Sequence, residues 1–260
     1  MLTFGLQMRR YWVMKAFNKI LITELKLSLR GMDMLIFAVI MPVIVLVVLG
    51  MIYGSKPAFE GASYTFIKQS FGALSSIAIC AGGVMGLPLI VSDYRSKQIL
   101  KRFKVTPITP VTILLAEVAI YFIYAFISLL TLLVVAIVFF DFTMQGSIPH
   151  FFLGWILVLV SMFSIGMMVG GIARNSKDAG IIASILYFPM LIFSGATLPY
   201  EVMPSAMQNV VNFLPLTQGI KILKSATLDL PMDHVLLPIV AMAAITIFCS
   251  SVAFGFFKWE

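Results

Sequence analysis

Six intervals free of Asp, Glu, Lys and Arg divide the chain: Met34–Ser55, Gln69–Ser92, Val118–Phe140, Phe142–Ala173, Ala179–Tyr200 and His234–Phe257. Each contains a mostly apolar run near the ~20 residues that a helix needs to cross hydrocarbon. The third pattern reaches back past Glu117 to about Val111, and Gly146, Pro149 and His150 move the start of the fourth to about Phe151. The expected fold is all-α, with six transmembrane helices near 34–54, 70–91, 111–139, 151–173, 179–197 and 235–257. Residues 1–31 form a cytoplasmic N-terminal segment in this reading, 32–257 a single transmembrane domain and 258–260 a cytoplasmic tail.

A seventh uncharged stretch, Val202–Ile220, is not counted as a span. Pro204, Gln208, Asn209, Asn212, Pro215 and Gln218 make it too polar for a lipid-facing helix. Met207, Val210, Val211 and Leu214 nevertheless recur at helical spacing beside Gln208, Asn209 and Asn212. The pattern predicts a short interfacial or re-entrant helix on the extracellular side. Its apolar stripe would face lipid or protein and its amides water, with Pro215 and Gly219 breaking it before the last span.

Ahead of the first span, Phe17, Leu21, Leu25 and Leu29 repeat every four residues. Lys15, Lys19, Lys26 and Arg30 fall on the other side, which describes a basic amphipathic helix on the cytoplasmic membrane face.

Composition narrows the solvent. Hydrophobic residues make up 61% of the 260 and charged residues 11%, with a mean hydropathy of +1.05. Soluble domains carry about 25% charged residues, so the surplus apolar surface must face lipid. Of the 18 Lys and Arg, 14 fall before the first span, in the second and fourth connections and in the tail; Lys56, Lys68, Lys221 and Lys224 fall on the opposite side. That asymmetry places both termini in the cytoplasm and accounts for the +7 net charge without nucleic acid. The basic start is followed by mixed sequence, so no cleaved signal peptide is expected and the first span serves as the insertion signal. Cys80 and Cys249 lie in apolar runs and make no disulfide framework, and His150 and His234 stand apart from any metal-ligand spacing.

Two elements are candidates for function. In the connection Asp93–Pro110, Arg95, Lys97, Lys101, Arg102 and Lys104 interleave with Ile99, Leu100 and Phe103, and Val105-Thr106-Pro107 closes the run. A short cytoplasmic helix with charge and exposed apolar residues suits a docking partner; a solvated positive-inside loop has the same composition. Glu117 is the acid well inside a proposed span, roughly 9 Å from its start by helical rise. It reads either as an intramembrane polar site or as a structural group hydrogen-bonded near the interface. Gly166 and Gly170 form a small-x-x-x-small pair, favouring packing within the chain over dimerisation. The sequence carries no phosphate-binding loop and no nucleophile–base arrangement, so neither catalysis nor a bound cofactor is expected of this chain.

Taken together, these motifs resemble the membrane subunits of type-2 ABC exporters over nearly the whole chain. Ala16–Gly31 is similar to the family's N-terminal elbow helix. The run Lys97-Gln98-Ile99-Leu100-Lys101-Arg102-Phe103-Lys104-Val105-Thr106-Pro107-Ile108-Thr109 is similar to its first cytoplasmic loop. Ser194-Gly195, Pro199, Met203-Pro204 and Asn212-Phe213-Leu214-Pro215-Leu216-Thr217 resemble the pattern before its last span. Two local departures stand out: Ser96 and Lys97 replace a usual Gly, and Phe213-Leu214 interrupts a usual Asn-Pro.

The resemblance implies a homodimer or heterodimer of permeases in a bacterial or archaeal plasma membrane, with separate ATPase subunits holding ATP and Mg. Coupling would run through Lys97, Leu100, Lys101, Arg102, Phe103, Lys104, Thr106 and Pro107, with Lys19 and Lys26 on the elbow. A drug, peptide, lipid or polysaccharide precursor would pass between protomers along the second and fifth spans. The alternative is a sensor, immunity or scaffold subunit that only binds a partner. A secondary transporter is disfavoured by the scarcity of intramembrane charge and by the lack of an inverted repeat.

Overall fold

The structure, a computed structural model, describes residues 2–54, 56–58, 61–99, 109–195, 200, 203–231 and 235–256, with the side chains of 2–14, 110, 206 and 256 left aside. The elements are α1 (Leu2–Gly31), α2 (Asp33–Tyr53), α3 (Phe66–Ser96), α4 (Pro110–Phe140), α5 (Ile148–Ile172), α6 (Ser176–Phe193), α7 (Ser205–Val211), α8 (Pro215–Leu228) and α9 (Leu236–Phe256). Among the described residues there is no strand, only an isolated bridge between Pro57 and Thr65. Six of these helices, α2 to α6 and α9, are long and apolar enough to cross a bilayer. Even α6, at 18 residues, extends about 27 Å by helical rise.

The central element is α3, which is mostly buried, whereas little of α6 is. Its sequence explains its place. Ser70, Gly72, Ala73, Ser75, Ser76 and Ala78 give it a narrow surface, and in a membrane, where helices gain little from leaving lipid, close van der Waals approach drives association. A Cβ on Gly166 of α5 would fall on the carbonyl of Gly83 of α3, and one on Gly170 would meet Val91 and Pro88. The Gly166/Gly170 pair thus packs within the chain. Around this crossing, Trp155 is fully buried against the rings of Phe122, Phe126 and Phe152, at centroid distances of 5.9, 6.4 and 5.9 Å.

Two prolines shape the long helices. Pro42 and Pro88 each follow a wide π-type turn, Ile36–Ile40 and Ala81–Gly86. Just before them, the Met41 N–H bonds to the Ile36 carbonyl and the Leu87 N–H to that of Gly82, five residues back. A proline ring clashes with the carbonyl four residues earlier and offers no N–H. A widened turn lets the helix continue past that defect.

The stretch before α9 departs from the sequence reading in two ways. Pro215 opens α8 at its first turn, where its missing N–H costs nothing. Gly219 lies inside that helix, where a Cβ would stand 3.1 Å from both methyl carbons of Val158. The glycine therefore admits α5 instead of ending the helix. Most of α8 is buried, packed against α3, α5 and α9; at 14 residues it is too short to cross a bilayer. In α7 the apolar stripe is split: Val211 is buried, as its spacing predicts, whereas Val210, and Phe213 just past the helix, are 69% and 87% exposed. Gln208 turns inward to the carbonyls of Tyr200 and Met203 at 3.2 and 2.9 Å. The Tyr200 carbonyl also accepts the Met203 N–H, while Gln208 supplies the donor to the Met203 carbonyl.

Candidate functional site

Three helices meet where α3 ends and α4 begins. Thr109 is extended and Pro110 sits in the first turn of α4, so the chain enters the helix with φ already set. Two turns on, Glu117 is buried, and its Oε1 accepts the Tyr94 hydroxyl from α3 at 3.0 Å. The Glu24 carboxylate of α1 interacts with the same hydroxyl. Farther along, Tyr124 of α4 donates to Ser28 of α1 at 2.9 Å. Leu21 and Leu25 of α1 pack with Ala38, Val39, Ile120 and Tyr124. Leu21 and Leu25 thus seat on α2 and α4, while Leu29 is exposed together with Lys19 and Lys26.

Beside Tyr94, Arg95 reaches α5. Its Nη1 donates to the carbonyls of Gly170 at 3.0 Å and Ala173 at 3.2 Å, and also to that of Gly171. These carbonyls end α5 without helical partners, and a cation there also meets the negative end of the helix dipole. In the sequence Arg95 counted only as one basic residue among many. Lys97 behaves differently: its side chain is 65% exposed and its Nζ pairs with Asp93 at 2.8 Å, one turn back.

Of the residues singled out in the sequence, Glu117 is drawn into the three-helix junction, while Lys97, Lys19 and Lys26 face outward. Leu100, Lys101, Arg102, Phe103, Lys104, Thr106 and Pro107 lie outside the described residues. Tyr94, Glu24 and Arg95 were missed as site residues. Tyr94 and Glu117 are 23 positions apart, and only folding brings them together. A faint signal existed in Tyr94-Arg95, a polar pair closing a 31-residue apolar helix. Among the described residues, the donors and acceptors of the junction join three helices to one another.

Six apolar helices, among them a buried, small-residue α3, define a polytopic α-helical membrane protein. The family model described as ABC-2 type transporter matches residues 15–228, from α1 to the end of α8, and the chain belongs to that family. It is similar to the inner membrane transport permease YhhJ of Escherichia coli (strain K12), 34% identical over 79 residues, which is 30% of this chain and 21% of that protein. It is also similar to nodulation protein J of Rhizobium leguminosarum bv. viciae, 33% identical over 76 residues, 29% of each. The matched stretch spans less than a third of either relative's length.

Proposed function

We propose that this chain is the permease subunit of an ATP-driven exporter, moving an amphipathic or lipid-like molecule outward across the plasma membrane. It works with separate ATPase subunits, which hold ATP and Mg, and with a second permease protomer. The observation that carries this reading is the junction of α1, α3 and α4. The amphipathic helix and both flanks of the basic 93–110 connection are joined through the Tyr94–Glu117 and Tyr124–Ser28 bonds. A partner pressing on that connection moves three helices as one body. Family membership and a relative named as a transport permease support the same reading.

The cytoplasmic end is assigned to the Lys97 side by its excess of basic residues. The Pro199–Asp229 segment is read as re-entrant on the opposite side. In support, Gly219 lies beside Val158, ten residues into α5, while Gln145 and Gly146 bond the Thr227 carbonyl at that helix's start. On this topology, Lys56→Cys and Thr143→Cys react with an impermeant thiol reagent from outside, and Lys177→Cys does not. Gly146 is a poor probe, since a Cβ there collides with the Ala226 carbonyl.

The decisive experiment is copurification with the ATPase encoded alongside, followed by a screen for substrate-stimulated ATP hydrolysis. Lys101→Glu with Arg102→Glu is expected to abolish assembly or stimulation while membrane insertion survives. Assembly without stimulation by any substrate supports the sensor or scaffold reading. Wild-type assembly and stimulation in the double variant defeats the coupling role of the connection.

A further inference from the structure

At the end of the bundle that carries Lys97, α1, α2, α3, α4 and α6 border an open pocket of about 260 Å³. A closed cavity of about 150 Å³ already holds benzene, so this one has room for a charged head and the start of an apolar body. It lies where α1 gives way to α2: Ser28 comes from the last turn of α1, and Asp33 opens α2. Asp93 enters from the last turn of α3, beside an apolar wall that includes Met34 and Leu89. The first turn of a spanning helix is the depth of the lipid head groups.

Two independent features point to a ligand. The first is charge. Of the 18 Lys and Arg, 14 fall on this side of the bundle, yet no described basic side chain lines the pocket and two carboxylates do. Asp33 is exposed and has no ion pair among the described residues. Asp93 is paired with Lys97 at 2.8 Å, but the lysine side chain is 65% exposed, so exchanging it for another ammonium costs little. The second feature is Tyr121. It is 7% exposed, it lines the pocket, and its hydroxyl has no hydrogen-bond partner among the described residues. Buried hydroxyls are rarely left so. Gly86 makes room for it: a Cβ there would stand 2.5 Å from the Tyr121 ring and 2.6 Å from the Met34 sulfur. Ser28 adds another oxygen, which accepts the Tyr124 hydroxyl at 2.9 Å and keeps a lone pair for a second donor.

We infer that this pocket binds the head of an amphipathic primary amine. Asp33 and Asp93 take its charge, the Tyr121 and Ser28 oxygens accept its N–H groups, and Met34 and Leu89 meet its apolar body. An ammonium donates three hydrogen bonds and accepts none, which suits a set of carboxylate and hydroxyl oxygens. Charge-assisted bonds of this kind are about twice as strong as neutral ones. A body longer than the pocket continues along the outer face of α2, where Ile36 and Phe37 are exposed. Such an ammonium comes from an aminolipid head group or from a free amphiphile. The inference concerns binding and stands whether or not the chain exports.

The test uses the full chain in phosphatidylcholine nanodiscs and the fluorescent primary amine dansylcadaverine, with protein-free discs measuring its partition into lipid. Binding to the protein is expected to saturate, and octylamine to displace the probe where octanol does not. Asp33→Asn with Asp93→Asn weakens binding about ten-fold or more. Lys97→Ala tightens it several-fold, because the ammonium competing for Asp93 is gone. Tyr121→Phe weakens it several-fold and leaves the ligand-free melting temperature within about a degree, since that hydroxyl has no partner to lose. Phosphatidylethanolamine added to the discs displaces the probe if an aminolipid is the natural source, and leaves it bound if a free amphiphile is. Binding no greater than that of protein-free discs overturns the inference. So does an affinity that the double Asp→Asn variant retains, displacement by octanol equal to that by octylamine, or weaker binding in Lys97→Ala.

Discussion

At the end that carries the 93–110 connection, Lys97 stands 65% exposed and paired with a neighbour one turn away; at the opposite end, Lys224 is 8% exposed and set against an aromatic ring beside a cavity. The first end holds most of the Lys and Arg of the sequence and the second only four. Number and placement therefore carry different information. A surplus of exposed cations orients helices during insertion, and any one of them is dispensable. A cation held inside the bundle must be matched group by group, because the desolvation it suffers is recovered only through specific partners. Arg95 is the instructive exception at the crowded end. It sits two residues from Lys97 yet closes the C-terminus of α5 across the bundle.

That contrast can be broken by substitution. Arg95→Ala strips donors from the carbonyls of Gly170, Gly171 and Ala173, and should lower stability by about 2–3 kcal/mol, read by denaturant unfolding in detergent. Tyr94→Phe removes the donor to Glu117 and should cost about 1–2 kcal/mol. The double variant with Glu117→Leu should recover part of this loss, because no buried acceptor is then left over. Lys97→Ala breaks only an exposed pair and should stay within about 0.5 kcal/mol of wild type. If Lys97→Ala proved as damaging as Arg95→Ala, exposure would not separate the two roles.

The long apolar intervals and the six spans were legible because hydrocarbon thickness sets a length that composition cannot hide. The Gly166/Gly170 spacing announced a close helix approach, although only the structure shows Gly83 as the facing residue. Arg95 and Lys97 are alike to a count of charges; what separates them is a contact 75 residues away in sequence. The α8 helix was misread because Pro215 and Gly219 look like breakers in isolation. Leu216, Ile220, Leu223 and Thr227, all buried, recur at helical spacing and carried the opposite message. Read by position, a proline in a first turn and a glycine at a crossing belong to a helix.

The smallest perturbation tests the split stripe of α7, where Val210 and Gln208 depart from the sequence reading. The stripe of Met207, Val210, Val211 and Leu214 predicts hydrated labels at Gln208 and Asn212. The structure instead binds Gln208 to two carbonyls, and ties Asn212 to the Tyr200 hydroxyl and to Lys221. Val211 is 2% exposed, whereas Val210 and Phe213 project from the surface. Spin labels attached at single introduced cysteines separate these pictures with little effect on stability at the exposed positions. Cys80 and Cys249 are both buried and should contribute little signal. Labels at Val210 and Phe213 should be mobile and those at Gln208 and Val211 immobilised. Relaxation by oxygen or by a water-soluble nickel chelate then tells whether the mobile pair meets lipid or water. Mobile, hydrated labels at Gln208 and Asn212 beside an immobilised Val210 would restore the stripe, and would release Asn212 from the network that positions Lys221 at the cavity.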